Sequence, residues 1–178
     1  MIATKTLRAA ATALVLAAVP VAAYAADPQP SPISRPSSSD RITAGKVLEQ
    51  LRAMGFQGEV KADEDGSPRI VTMVDGYKWI IYFYGCDKDG ALESRGCSSL
   101  TLRTGLVVDQ VTAESVNKWN SEKRYARAYT VVGDNGKTIL LLDLDYYMTE
   151  GTDAVKAFNA HFELMRHQAR AFRKHVDA

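Results

Sequence analysis

The stretch Arg69-Ile70-Val71-Thr72-Met73-Val74-Asp75-Gly76-Tyr77-Lys78-Trp79-Ile80-Ile81-Tyr82-Phe83-Tyr84 decides the fold. Two runs of β-branched and aromatic side chains flank Asp75-Gly76. Such residues suit a half-buried pleated surface. Asp-Gly is a favoured two-residue hairpin turn, because both central residues must take positive φ. The spacing therefore predicts antiparallel strands over 69–74 and 77–84.

Working outward, 59–63 reads as a strand that ends in the turn Glu64-Asp65-Gly66. Beyond the central hairpin, 98–104 alternates Leu100 and Leu102 with polar neighbours, a third signal of period two. A second hairpin is predicted over 125–132 and 137–147, joined by Gly133-Asp134-Asn135-Gly136.

Helices frame these strands. Helix starts are expected at Thr43, Thr112 and Thr152. Ile42 with Val47, and Val111 with Val116, stand at hydrophobic-staple positions about the first two. Val47, Leu48, Leu51 and Met54 form one apolar face of the first helix, and Gly55 is its stop. Val116 and Trp119 face inward from the second. In the third, Val155, Phe158, Phe162, Met165, Ala169, Phe172 and Val176 recur at spacings of three and four, the mark of an amphipathic helix. Asp153 is placed in its first turn, where a negative charge suits the dipole. The order α-β-β-β-β-α-β-β-α, with tight turns between strands, is an α+β fold with an antiparallel sheet and packed helices.

The 178 residues are 46% apolar and 24% charged, too apolar for a disordered chain. There are 22 Lys+Arg against 21 Asp+Glu, which argues against a general nucleic-acid or anionic-membrane binder. Residues 1–25 read as a secretory signal: Lys5 and Arg8, an apolar run broken by Pro20, then Ala23-Tyr24-Ala25 before the cut. Retention of this segment as an anchor is the alternative. Cleavage removes Lys5 and Arg8 and turns the formal charge of +1 into −1. Residues 26–40 hold Pro28, Pro30, Pro32 and Pro36 among serines and read as a solvated linker. The folded domain is expected over 41–178. A periplasmic or secreted location follows, with no stable membrane insertion after cleavage.

Cys86 and Cys97 flank a loop between two strands that should pair. In an oxidising compartment they are expected to form a structural disulfide. A redox-active dithiol is the alternative, but such pairs are usually close in sequence and set at a helix start. Asp143 and Asp145 point to one face of a strand, where Arg124 and Arg127 could neutralise them across the sheet. Asp87-Lys88-Asp89-Gly90 lacks the ligand spacing of a calcium loop. His161, His167 and His175 all lie on the third helix, and the first two are about 120° apart around it, so they do not share a metal. No nucleophile elbow, phosphate loop or dinucleotide fingerprint occurs. Arg166, Arg170, Arg173 and Lys174 make the end of that helix basic, as a solvated face or an anion-binding strip. No catalytic, cofactor or metal residues are assigned. The candidate binding surface is aromatic: Trp79, Tyr82, Tyr84, Trp119, Tyr125 and Tyr129.

Val116-Asn117-Lys118-Trp119-Asn120, followed by Tyr125-Ala126-Arg127-Ala128-Tyr129, resembles the YbjN-domain family. Leu140 to Leu144, Gly151-Thr152, and Gly76 with the strand Tyr77 to Tyr84 continue the resemblance, as does the cysteine pair of its exported members. It spans roughly 42–175. The resemblance implies a fold similar to type III secretion chaperones, a regulatory role, possible homodimers and peptide-binding surfaces. It implies no catalytic residues. An export signal and a disulfide set this chain apart from secretion chaperones proper. The expectation is an exported, non-enzymatic protein- or peptide-binding module without a cofactor. The alternative is an envelope hydrolase with a composite acid/base site at Asp143, Asp145 and a third-helix histidine.

Overall fold

A computed structural model describes residue 37 and residues 40–108, 111–133 and 136–176. These belong to one compact unit, Ile33–Ala178. The expected signal segment and nearly all of the linker lie outside the described residues. So do Asp134 and Asn135 of the second hairpin turn.

The order is α1 (Ala44–Ala53), β1 (Gly58–Ala62), β2 (Pro68–Val74), β3 (Tyr77–Tyr84), a 3-10 turn (Leu92–Ser94), β4 (Ser99–Val108), α2 (Ala113–Glu122), β5 (Arg127–Val132), β6 (Thr138–Tyr147) and α3 (Ala154–Val176). The α+β class and the order of elements agree with the sequence reading. The strands form one six-stranded sheet in the order β1-β2-β3-β4-β6-β5. Every pairing is antiparallel. β1 to β4 run as a meander. α2 then carries the chain past the next position, so β5 becomes the edge and β6 returns between β4 and β5.

The hairpin that decides the fold has the expected turn. Asp75 has φ 52° and Gly76 φ 81°, the left-handed pair that matches the twist of the flanking strands. Its register places Trp79 opposite Thr72 and Ile81 opposite Ile70. Because successive side chains alternate, Ile70, Thr72, Val74, Trp79, Ile81 and Phe83 all reach the same buried face. Leu100, Leu102, Leu140, Leu142 and Leu144 continue that layer on β4 and β6.

α1 and α3 lie on this face. Phe158, Phe162, Met165, Ala169 and Phe172 of α3 are buried in the same core as Val47, Leu48 and Leu51 of α1. Phe162 packs on Trp79 with ring centroids 5.5 Å apart, and Phe172 meets Trp119 of α2 at 4.9 Å. Fully burying each such side chain stabilises the fold by roughly 1.5–3 kcal/mol.

Thr43 and Thr112 cap α1 and α2 by accepting from Lys46 N and Ser115 N. The third helix start is corrected. Thr152 is engaged with Thr149, and Asp153 caps α3 by accepting from Lys156 N at 3.0 Å. The helix therefore begins at Ala154, and Ala154, not Val155, leads its buried stripe. β4 also runs on to Val108, four residues beyond the expected end, because β6 pairs with its whole length.

Cys86 and Cys97 form a disulfide across the β3–β4 connection. Around it the chain before α1 is tied to the sheet rim. Ile42 and Cys97 exchange backbone hydrogen bonds of 3.2 and 2.8 Å. The Arg41 guanidinium donates to Gly85 O, Gly96 O and the Asp87 carboxylate.

Candidate binding face of the sheet

With α1 and α3 on one side of the sheet, the alternate side chains of every strand stand on the other. The register sets them in rows across the strands. One row runs Val71, Ile80, Arg103, Asp143 and Arg127. On one side of it lie Arg69, Tyr82, Thr101 and Asp145, then Tyr84, Ser99 and Tyr147. On the other side lie Met73, Lys78, Gly105, Leu141 and Tyr129, then Val107, Ile139 and Val131.

The middle row holds an ordered polar cluster. Arg103 Nε donates to Asp143 Oδ1 and Arg103 Nη2 to Asp143 Oδ2, both at 2.8 Å. Tyr129 OH donates to Asp143 Oδ2 at 2.8 Å and accepts from Arg103 Nη2 at 2.7 Å. Asp143 is only 5% exposed, and a carboxylate so enclosed needs such partners. The Arg103 guanidinium also lies 4.9 Å from the Tyr82 ring centre, and Tyr84 stacks on Tyr82. The hydrogen bonds to Asp143 raise the Arg103 pKa further above its ordinary value. Burial, then the bond to Asp143, pushes the Tyr129 phenol up to about 12. The cluster is thus fully charged on Arg103 and neutral on Tyr129 at physiological pH. Asp145 is held by Thr101 Oγ1 and Arg127 Nη2.

Arg127 neutralises an aspartate as the sequence suggests, but Arg124 does not. It lies over Tyr125 at 5.5 Å, before β5 begins. Arg103 takes the place expected of it. β4 and β6 were legible as strands, but only the sheet order makes them neighbours.

On the Met73 and Val107 side of the polar cluster the face is mainly apolar, with Lys78 the charged exception. Met73 is 56% exposed and Val107 62%. Gly105 leaves a shallow groove of about 310 Å³ between Ile80, Leu141, Ile139 and Val107, with Lys78 at its side. A Cβ on Gly105 would come within 2.7 Å of Leu141 Cδ2, so glycine is what keeps this floor low.

The aromatic candidates divide. Tyr82, Tyr84 and Tyr129 share the open face. Trp79 and Trp119 are 0% exposed and are withdrawn from the candidate surface. Trp79 alternates with Ile80 and so faces the helices, while Trp119 is enclosed between α2, α3 and β5. Tyr125 is exposed but stands outside the rows, ahead of β5.

Trp119 and Asn120 act on the edge of the sheet. Trp119 Nε1 donates to Ala126 O at 3.0 Å. The Asn120 amide donates to Ala128 O at 2.9 Å and accepts from Ala128 N at 2.8 Å. One side chain thereby takes the role of a neighbouring strand residue and closes part of the β5 edge. Outward-turned groups alternate along an antiparallel edge, so the row continues at Thr130 and Val132.

The composite acid/base site is not assembled. Asp143 and Asp145 stand on the open face, whereas His161 stacks on Tyr146 on the helix side with ring centroids 4.2 Å apart. His175 lies by Trp119 and Ser115, and His167 sits on a shallow patch with Arg170 and Lys174. Among the described residues no group of three or more His, Cys, Asp or Glu could hold a metal ion. The basic end of α3 is engaged as well. Arg166 and Arg170 both reach Asp75, whose pKa is lowered chiefly by the Arg166 hydrogen bond, and Arg173 lies 3.5 Å from the Tyr77 ring centre. Among the described residues no helix is long and apolar enough to cross a membrane.

Fold and face together define an α+β protein whose antiparallel sheet is helix-covered on one side and, among the described residues, uncovered on the other. The chain belongs to the YbjN family: the family described as "Putative bacterial sensory transduction regulator" matches residues 43–178. The two segments that carry the resemblance, 116–120 and 125–129, meet where Trp119 bonds Ala126 and Asn120 bonds Ala128 of β5. No curated protein and no solved structure matches the chain.

Proposed function

We propose that this protein is an exported, non-enzymatic module that binds an extended protein or peptide segment on the open face of its sheet. The observation that carries the proposal is the exposed apolar strip of Met73, Val107 and Val131 beside an ordered polar cluster. Apolar side chains gathered on one surface mark interaction sites, whereas scattered ones do not. The face is preferred to the β5 edge for strand addition, because Trp119 and Asn120 already occupy part of that edge. The family's regulatory description supports the same reading. Export, to the periplasm or medium, is supported by the signal-like residues 1–25 and by a disulfide within the folded domain.

Photo-crosslinking groups placed at Met73 and Val107, with control groups at Lys174 and His167 on the far side, test it. The expected result is a defined polypeptide partner crosslinked only from the open face. That partner, purified, should bind the wild-type chain and bind Val107→Asp more weakly. Equal crosslinking from both sides, or undiminished binding to the variant, would refute the proposal.

A further inference from the structure

The cations of the open face are accounted for, with one exception. Arg103 holds Asp143, Arg127 holds Asp145, Arg69 holds Asp63 at 3.3 Å and Lys61 holds Glu59 at 3.0 Å. Lys78 is exposed and has no acidic partner among the described residues. Its position is specific. The β3–β4 pairing ends at Trp79 and Thr104, and the next residue of each strand, Lys78 and Gly105, lines the apolar groove. Cross-strand neighbours are about 5 Å apart at Cβ. An uncompensated ammonium therefore borders a trough floored by glycine and walled by Ile80, Leu141, Ile139 and Val107.

We infer that the groove over Gly105 takes a segment in which an acidic side chain stands two residues from an apolar one, the carboxylate meeting Lys78 and the apolar group seated over Gly105. This rests on the open-face reading and gives it a sequence preference. The spacing follows from extended backbone. Side chains at i and i+2 point the same way and stand about 6.6 Å apart, within the reach of a lysine stem from its cross-strand neighbour. Adjacent residues point to opposite sides and cannot both face the sheet. Arg103 does not compete for the carboxylate, since Asp143 and the Tyr129 hydroxyl already engage its guanidinium. An acidic segment answers the one cation unmatched among the described residues of the open face, whereas a basic one meets Lys78 as a like charge.

The test uses the full chain, isotope-labelled, with ten-residue peptides containing Glu-x-Leu, a Gln-x-Leu twin, a Lys-x-Leu twin and a scramble that makes Glu and Leu adjacent. The Glu-x-Leu peptide should shift the amide signals of Lys78, Gly105 and Leu141. An exposed ion pair contributes little, so the Gln twin and the scramble should bind roughly two- to five-fold more weakly. Lys78→Glu, at an exposed position that leaves the core untouched, should reverse the order and favour Lys-x-Leu. The inference is overturned if the Gln twin binds as well as the Glu peptide, if Lys78→Glu leaves the order unchanged, or if a free fatty acid produces the same shifts with equal affinity. Open-face shifts that ignore charge would leave the binding-face reading standing. Peptide shifts confined to the helix side, or none with any peptide, would remove both.

Discussion

Replacing Asp143 with alanine isolates the centre of the open face. The Asp143 carboxylate accepts two hydrogen bonds from Arg103 and one from Tyr129, each 2.8 Å long. Truncation leaves the Arg103 guanidinium facing the emptied site and the Tyr129 hydroxyl without its acceptor. Breaking a fully buried ion pair costs about 3–5 kcal/mol. The Arg103 side chain keeps 27% of its exposure, so water replaces part of what is lost. The expected cost is therefore about 2–3 kcal/mol, in the range of a lost hydrogen bond between charged groups plus a poorly solvated survivor. For a chain of this size that is a fall in Tm of roughly 5–10 °C. Urea unfolding followed by tryptophan fluorescence reads it directly, since Trp79 and Trp119 both lie in the core. The midpoint should fall at an unchanged slope. Removing both charges should recover most of the loss, so Arg103→Met with Asp143→Leu should be more stable than Asp143→Ala alone. A single variant within about 0.5 kcal/mol of wild type, the ordinary range for surface positions, would refute the reasoning. So would a double variant no better than the single.

Asn120→Ala should raise hydrogen exchange at the Ala128 amide and lower stability by about 1–2 kcal/mol, the net worth of two hydrogen bonds; unchanged protection there would show that the clasp is idle. Cys86→Ala with Cys97→Ala opens a short loop, and the chain-entropy account sets the loss at roughly 3 kcal/mol, readable as a lower urea midpoint. Tyr129 has a folded pKa raised to about 12 against an ordinary 10, so its contribution is complete below pH 10 and is lost as pH rises towards 12. Absorbance titration should show Tyr129→Phe losing one late-ionising phenol, and its stability should depend less steeply on pH in that window. Asp75 is shifted the other way: the Arg166 hydrogen bond lowers its pKa, so its stabilisation is present above the unfolded value near 3.8 and disappears as pH falls through the folded one. Asp75→Asn, which still tolerates the left-handed turn, should flatten the acid limb of stability against pH.

Local chemistry made much of the fold legible. The Asp75-Gly76 turn, the aromatic run of β3, the threonine caps of α1 and α2 and the apolar stripe of α3 each depend on residues close in sequence. The sequence is ambiguous at the third helix start because two cap-competent residues, Thr152 and Asp153, stand side by side. Thr152 bonds back to Thr149 and leaves the cap to Asp153. The site was less legible. The aromatic group Trp79, Tyr82, Tyr84, Trp119, Tyr125 and Tyr129 joins residues that the structure separates, with Tyr82, Tyr84 and Tyr129 on the open face. Trp79 and Trp119 were grouped with them because composition alone does not say which side of a strand or helix an aromatic takes. Alternation could have separated Trp79, since it shares parity with Ile81 and Phe83. Nothing local announced Arg103 as the partner of Asp143, and nothing announced Lys78 as the unmatched cation.

Turns, caps and hydrophobic periods act over a few residues, so the elements, their order, the antiparallel α+β class and the cysteine pair are legible in the chain itself. The strand order β1-β2-β3-β4-β6-β5, and with it every long-range partnership on the open face, emerges only from the folded sheet. Inserting β6 between β4 and β5 brings Asp143 between Arg103 and Tyr129. Among the described residues the same packing gives one face to the helices and leaves the other, with Gly105 and Lys78 on it, uncovered. Hydrophobic burial is non-directional, so it fixes which side chains go inside without naming their neighbours. Those are set by sheet register, which pairs residues far apart in the chain.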